Sequence, residues 1–209
     1  MIKILVQNNT LSKRRFILYQ TNSTDANINS YVWDSRTLDN GGSWMLEFPL
    51  SFSVAGRIQE SGNANYTETS EAAAQEGEQW QLIRNTPQEP LTIVQKDNKP
   101  IGNEVEITYV SGAGKVNALL LKSSKAVVGK YLNLHSLVGF KLNNSFFIAI
   151  SEDMKRGDVI VINELMAKHE VDTTNNKWVD RYEVTATENT TTSEITIVSQ
   201  EKIIQPLIV

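Results

Sequence analysis

His135 and His169 are the two imidazole bases in this 209-residue chain. Neither lies in a nucleophile signature such as Gly-x-Ser-x-Gly, whose strained turn presents a serine to its base. His135, in Leu132-Asn133-Leu134-His135-Ser136, alternates with apolar residues and reads as a partly buried structural histidine. His169, between Lys168 and Glu170, reads as a surface residue. A Ser/His/Asp set is assembled by the fold and not by sequence neighbours, so a hydrolase with an unrecognised site stands as the third reading of function.

Other chemistry fails on named residues. The chain has no His-Glu-x-x-His, and Asp172-Thr173-Thr174-Asn175-Asn176 lacks the glycine and terminal glutamate of a calcium loop. Asp34, Asp39 and Asn40 carry oxygen ligands but read as a plain turn. Glycoside hydrolysis needs two carboxyl groups about 5–10 Å apart, and 24 acidic residues spread along the chain single out no pair. Ser111-Gly112-Ala113-Gly114-Lys115 has the end of a phosphate loop. Tyr109 stands where that loop needs its first glycine, and Val116 where it needs a magnesium-binding hydroxyl. It reads as a turn, as does Arg156-Gly157-Asp158, whose last two residues suit tight backbone geometry. No catalytic residue, metal or other cofactor is expected.

Binding is better represented than catalysis. Trp33, Asp34 and Trp44 flank a turn-rich stretch, and Trp178 and Asp180 sit in a polar one. An indole face with neighbouring carboxylates suits a glycan or cell-surface ligand. The alternative role for these rings is to plug the end of a β-sandwich. The two ends of the chain are apolar: Ile2, Ile4 and Val6 at one, Ile203, Ile204, Leu207 and Val209 at the other. An apolar terminal strand either pairs in its own sheet or is donated to the open edge of another copy.

Composition narrows the partners. A formal charge of -4 with one basic cluster, Lys13-Arg14-Arg15, argues against a nucleic-acid binder. The chain has no cysteine, which removes disulfides and thiol chemistry. No stretch reaches the roughly 18 apolar residues of a spanning helix, and the first residues lack the apolar core of a secretory signal. The expected address is cytoplasmic, or outside the cell by export without a recognisable signal peptide.

The elements that must position these residues are strands. In Leu46, Phe48, Leu50, Phe52 and Val54, every second residue is apolar, as in Ile2-Ile4-Val6 and Val105-Ile107-Tyr109. That period of two buries one face of a sheet and wets the other. Pro49 cannot donate to a ladder and places its strand at an edge or bulge. Further β-rich runs are 16–19, 80–83, 91–94, 116–121, 138–142, 146–150, 159–162, 182–187 and 195–198. Hairpins are expected at 111–115 and 142–145, and a turn at 152–158. Ser70–Glu76 has a cap but no apolar stripe, and would be a two-turn helix at most. No repeat of fixed period is evident.

At this length a chain buries roughly 70% of its unfolded surface without metals or disulfides. The fold class expected is all-β, an antiparallel sandwich of jelly-roll or Greek-key type. It would hold about 10–13 strands and at most one or two short helices in a single domain over residues 1–209, with a long polar loop near 59–79. The leading functional expectation is a non-catalytic structural or interaction protein, a homo-oligomer joined through β-edge or terminal-strand contacts. The alternative is a lectin-like or toxin-like module using loop aromatics.

Overall fold

The computed structural model describes residues 1–59, 66–86, 88–96, 102–174 and 179–203. Trp178, Ile204, Leu207 and Val209 lie outside them. The chain is nearly all β, 59% strand and 2% helical. Sandwich-like packing of antiparallel sheets follows the expected class. Among the described residues there are eighteen strands, more than the 10–13 expected, because the 46–54 run divides and strands form at 29–30, 34–38, 66–68, 72–74, 125–132 and 167–172 where none was expected: β1 (Ile2–Asn9), β2 (Arg14–Tyr19), β3 (Asn29–Ser30), β4 (Asp34–Leu38), β5 (Ser43–Phe48), β6 (Phe52–Gln59), β7 (Tyr66–Glu68), β8 (Ala72–Ala74), β9 (Gln79–Ile83), β10 (Thr92–Gln95), β11 (Val105–Ser111), β12 (Val116–Lys122), β13 (Lys125–Leu132), β14 (Leu137–Phe140), β15 (Ser145–Ile150), β16 (Ala167–Asp172), β17 (Val179–Glu188) and β18 (Ile195–Ile203).

The chain forms two compact units, one from 1–20, 32–50 and 144–209, the other from 21–31 and 51–143. In unit 1, sheet A runs β18-β17-β1-β5 and sheet B runs β16-β15-β2-β4. Their facing sides meet in an aromatic core: the ring centroid of Phe48 is 5.8 Å from that of Phe146, which is 6.1 Å from that of Tyr182. The other side of sheet B is covered too. Met154, Ile160 and Leu165 pack over Ile17, Tyr19 and Ala149. That double burial explains why Phe16–Tyr19 and Phe146–Ile150 read as continuous apolar runs and not as alternating ones.

In unit 2, sheet C runs β10-β9-β11-β14 and sheet D runs β3-β13-β12-β6-β7, with β8 also on β6. Tyr31 covers one side of sheet D, against Ala55, Leu119 and Leu121. On the facing side β6 approaches sheet C so closely that a Cβ on Gly56 would lie 2.3 Å from Leu82 Cδ2.

Several local expectations change. The segment expected as one strand from 46 to 54 breaks at Pro49 into β5 and β6, which lie in different units. Proline ends the ladder because it has no N–H to donate. Neither expected hairpin forms: 111–115 links β11 in sheet C to β12 in sheet D, and 142–145 links β14 in unit 2 to β15 in unit 1. Turn residues specify a reversal but not the strand that will pair after it. Ala72–Ala74 is strand, not helix. Residues 159–162 form no strand. Val159, Val161 and Ile162 are exposed on the segment that covers sheet B, which ends in a 3-10 turn at Ile162–Glu164.

The two units repeat one topology. In unit 1, β1 pairs parallel with β17 and antiparallel with β5, while β2 pairs antiparallel with β4 and β15. In unit 2, β11 pairs parallel with β9 and antiparallel with β14, while β12 pairs antiparallel with β13 and β6. Strands β11 to β14 thus take the places of β1, β2, β4 and β5, and β6 to β10 those of β15 to β18. The β4–β5 and β13–β14 turns share their hydrogen bonds. Gly41 N donates to Asn8 O at 2.7 Å and Asn8 N to Gly42 O at 2.9 Å; His135 N donates to Tyr109 O at 2.7 Å and Tyr109 N to Ser136 O at 3.0 Å. Gly41 and His135 also share a left-handed backbone, at φ +73° and +63°. With that register residues 34–55 lie on 128–149 without a gap, placing Leu38 on Leu132 and Ser51-Phe52 on Ser145-Phe146, with Val54-Ala55 on Ile148-Ala149. The repeat is therefore real, and irregular loop lengths hide it from any search at fixed period.

Candidate functional site

Trp33 and Trp44, two of the three nominated tryptophans, are core residues. Trp33 is 3% exposed and Trp44 6%. Trp33 sets its ring edge-on to Phe48, with centroids 4.9 Å apart and planes at 83°. Trp44 falls on the same face of β5 as Leu46 and Phe48, and strand parity turns all three inward. Asp34, half-buried, accepts a hydrogen bond from Ser35 N at 2.9 Å. Neither indole offers a free face, so these residues do not come together as an open stacking site.

Asp180 is placed differently. It lines a pocket of about 80 Å³ with Ile2, Lys3, Leu50, Arg181 and Tyr182. Its charge is spoken for: Asp180 Oδ1 is 3.7 Å from Lys3 Nζ and Oδ2 is 3.4 Å from Arg181 Nη1. Arg181 also bonds Glu183 Oε1 at 2.6 Å, and Lys202 Nζ lies 3.3 Å from Glu183 Oε2. The Arg181 hydrogen bond holds the Glu183 carboxyl below its ordinary range. Alternating charges of this kind form a solvated strip across β1, β17 and β18.

The N-terminal strand is central, not free. β1 is paired along both edges within its own sheet, and Ile2, Ile4 and Val6 are 6%, 0% and 0% exposed. Its apolar pattern is satisfied by the sandwich core. At the other end β18 is an edge strand: among the described residues its ladder partner is β17 alone. Val198 is 47% exposed and Ile203 63%. Inward of it, His169 Nε2 lies 2.8 Å from Ser199 Oγ. Burial lowers the His169 pKa and so favours the neutral ring. Among the described residues Ser199 is the one hydrogen-bond partner of that ring, so the pair lacks the carboxylate that orients a catalytic histidine. His135, expected to be partly buried, is exposed in the β13–β14 turn, where its backbone is left-handed.

Two residues of the basic cluster are ion-paired and the third is hydrogen-bonded to the main chain. Lys13 Nζ is 3.4 Å from Asp39, Arg14 Nη2 3.1 Å from Glu188, and Arg15 Nη1 donates to Glu152 O at 3.1 Å. Asp158 accepts from Lys155 N at 2.6 Å, so the Arg156-Gly157-Asp158 tripeptide sits in a closed, exposed turn. Among the described residues no group of three or more His, Cys, Asp or Glu could hold a metal ion.

A surface that sequence reading missed lies at the β13–β14 corner of unit 2. Tyr131, Leu134 and Leu137 are 52%, 42% and 53% exposed. At the same places on the β4–β5 corner unit 1 carries Thr37, Asn40 and Ser43. The fold therefore does not require apolar residues there. Comparing the two halves of the chain is the signal that finds them. No helix among the described residues is long and apolar enough to cross a membrane. No family model, curated protein or solved structure matches the chain.

Proposed function

We propose that this chain is a non-catalytic interaction protein that associates with copies of itself through the open edge of β18. The observation that carries the reading is the nine-residue length of β18 with one ladder partner among the described residues. Its unpaired N–H and C=O groups are a template for another strand. Two copies of β18 laid antiparallel about Val198 would oppose Ile197 to Ser199 and Thr196 to Gln200, with no like charges facing. The same contact on both copies gives a closed, two-fold dimer. Sedimentation of the protein and of Val198→Lys tests it. The parent should sediment as a dimer, and Val198→Lys, which sets two ammonium groups opposite each other, as a monomer. A parent that is monomeric at every concentration would sink the reading.

A second reading is favoured by Tyr131, Leu134 and Leu137. An exposed aromatic beside two leucines is an apolar contact surface, and Tyr131, near the end of β13, replaces Trp33 and Trp44 as the aromatic of a binding module. Grafting the unit 1 residues, as Tyr131→Thr, Leu134→Asn and Leu137→Ser, should leave stability intact and abolish capture of an apolar ligand such as a hydrophobic fluorescent dye. Unchanged dye binding would remove it.

A further inference from the structure

Equivalent strands in this duplicated chain do not close within their own half. Strands β1, β2, β4 and β5 belong to the first copy of the repeat, yet they build unit 1 with β15 to β18 of the second copy. Unit 2 takes the complementary set. The repeats have exchanged halves. Apart from the excursion of residues 21–31, which belong to unit 2, the chain passes between units at 48–52 and again at 140–145. Exchange of identical elements keeps every native contact, so it proceeds equally well within a chain or between two chains. What selects one is the freedom of the crossing segments.

The second crossing is clamped. In unit 2 the β12–β13 connection is Ser123-Ser124, both with positive φ (+48° and +60°), a two-residue turn. Its counterpart between β2 and β4 is longer by an arm, residues 21–31, which belongs to unit 2. The arm holds on at Lys130, whose Nζ is 2.6 Å from Asp25 Oδ2, and at Asn117, whose amide donates to Tyr31 Oη at 2.9 Å. Its first three residues grip the crossing itself. Ser23 N and Oγ donate to Lys141 O at 2.8 and 3.0 Å, Lys141 N donates to Asn22 Oδ1 at 2.7 Å, and Asn143 Nδ2 donates to Thr21 Oγ1 at 2.9 Å.

We infer that residues 21–23 are a clamp on the 141–143 crossing that keeps the exchange of halves inside one chain, and that the partner it excludes is a second copy of this chain. With the clamp open, residues 144–209 of one copy can swing out and close on residues 1–20 and 32–50 of another. The inference is independent of the β18 edge, and its products differ: an edge dimer dissociates on dilution, whereas an exchanged dimer separates only by unfolding a unit.

The test is made in Val198→Lys protein, so that edge pairing is absent. Asn22→Ala with Ser23→Pro removes the side-chain acceptor and the two Ser23 donors. Two preparations carrying different affinity tags are unfolded together, refolded at high concentration and diluted. The clamp variant should give dimers that carry both tags and survive a hundredfold dilution, in at least tenfold excess over the Val198→Lys parent, whose clamp is intact. Asp25→Ala, which loosens the arm away from the crossing, should behave as the parent. If the double variant refolds to monomers like the parent, or its dimers disperse on dilution, the inference is overturned. Should that variant not refold, Asn143→Ala carries the same expectation from the other side of the contact.

Discussion

Asn8 donates from its side-chain amide to the Leu38 carbonyl at 2.9 Å. Asn8 is fully buried in β1, and the same amide reaches Ser12 O at 3.0 Å and Asp39 O at 3.1 Å, while its Oδ1 accepts from Thr10 N and Oγ1. One side chain thus ties the β1–β2 loop to the β4–β5 turn. Asn8→Ala strands several buried backbone groups, each costing about 1–3 kcal/mol when unpaired. A loss of about 2–4 kcal/mol in urea unfolding is expected. A loss under ~1 kcal/mol would mean that water takes over these bonds.

Arg14 and Glu188 form the least exposed ion pair described, with side chains 15% and 8% exposed and 3.1 Å apart. Glu188 also accepts from Leu11 N at 3.2 Å. Removing one partner of a buried pair leaves an uncompensated charge, which costs about 3–5 kcal/mol. This pair is half-buried and Arg14 keeps Glu152 Oε1 at 4.0 Å, so Glu188→Ala should cost less, about 1–3 kcal/mol. Arg14→Met with Glu188→Leu should recover most of it, and chemical denaturation of the three proteins checks both statements.

Lys122 is 4% exposed, and burial lowers its pKa to about 8. The unfolded chain holds that proton more tightly than the folded one, so stability should rise as pH climbs from about 8 toward 10. Above pH 10 the trend reverses. Burial, then Glu170, raises Tyr19 to about 12, and there the folded state holds the proton more tightly. Lys122→Met should flatten the rise between pH 8 and 10. A parent whose stability falls across that window would contradict the assignment.

Gly56 faces Leu82 in unit 2, and an added Cβ would meet Leu82 Cδ2 at 2.3 Å and Leu91 Cδ2 at 3.2 Å. In the shared register their counterparts in unit 1 are Ile150 and Ala186, so the large and small residues trade places. Gly56→Ala should cost about 1–3 kcal/mol by overpacking. Leu82→Ala alone should cost about 2–5 kcal/mol. Together they should cost clearly less than the two added, and a double-mutant cycle that sums without coupling would refute the compensation.

The sequence alone was enough to determine the class of fold. Alternation in Ile2-Ile4-Val6, Trp44-Leu46-Phe48 and Val105-Ile107-Tyr109 is a property of neighbouring residues, because successive side chains of a strand point to opposite faces. The same locality exposed each motif that lacked a required residue, as Tyr109 does for the phosphate loop. Tertiary structure decided the rest. Turn chemistry at 111–115 and 142–145 marks a reversal, but which strand pairs next depends on partners up to a whole repeat away. An indole beside a polar loop has the same local sequence whether it faces a ligand or, like Trp33, the core. The halves of the chain were recognisable as one topology only when ladder registers gave Asn8 and Tyr109 the same bonds to their turns. Loop lengths differ between the halves, where local constraint is weak, while the pairing order, fixed by burial, is shared.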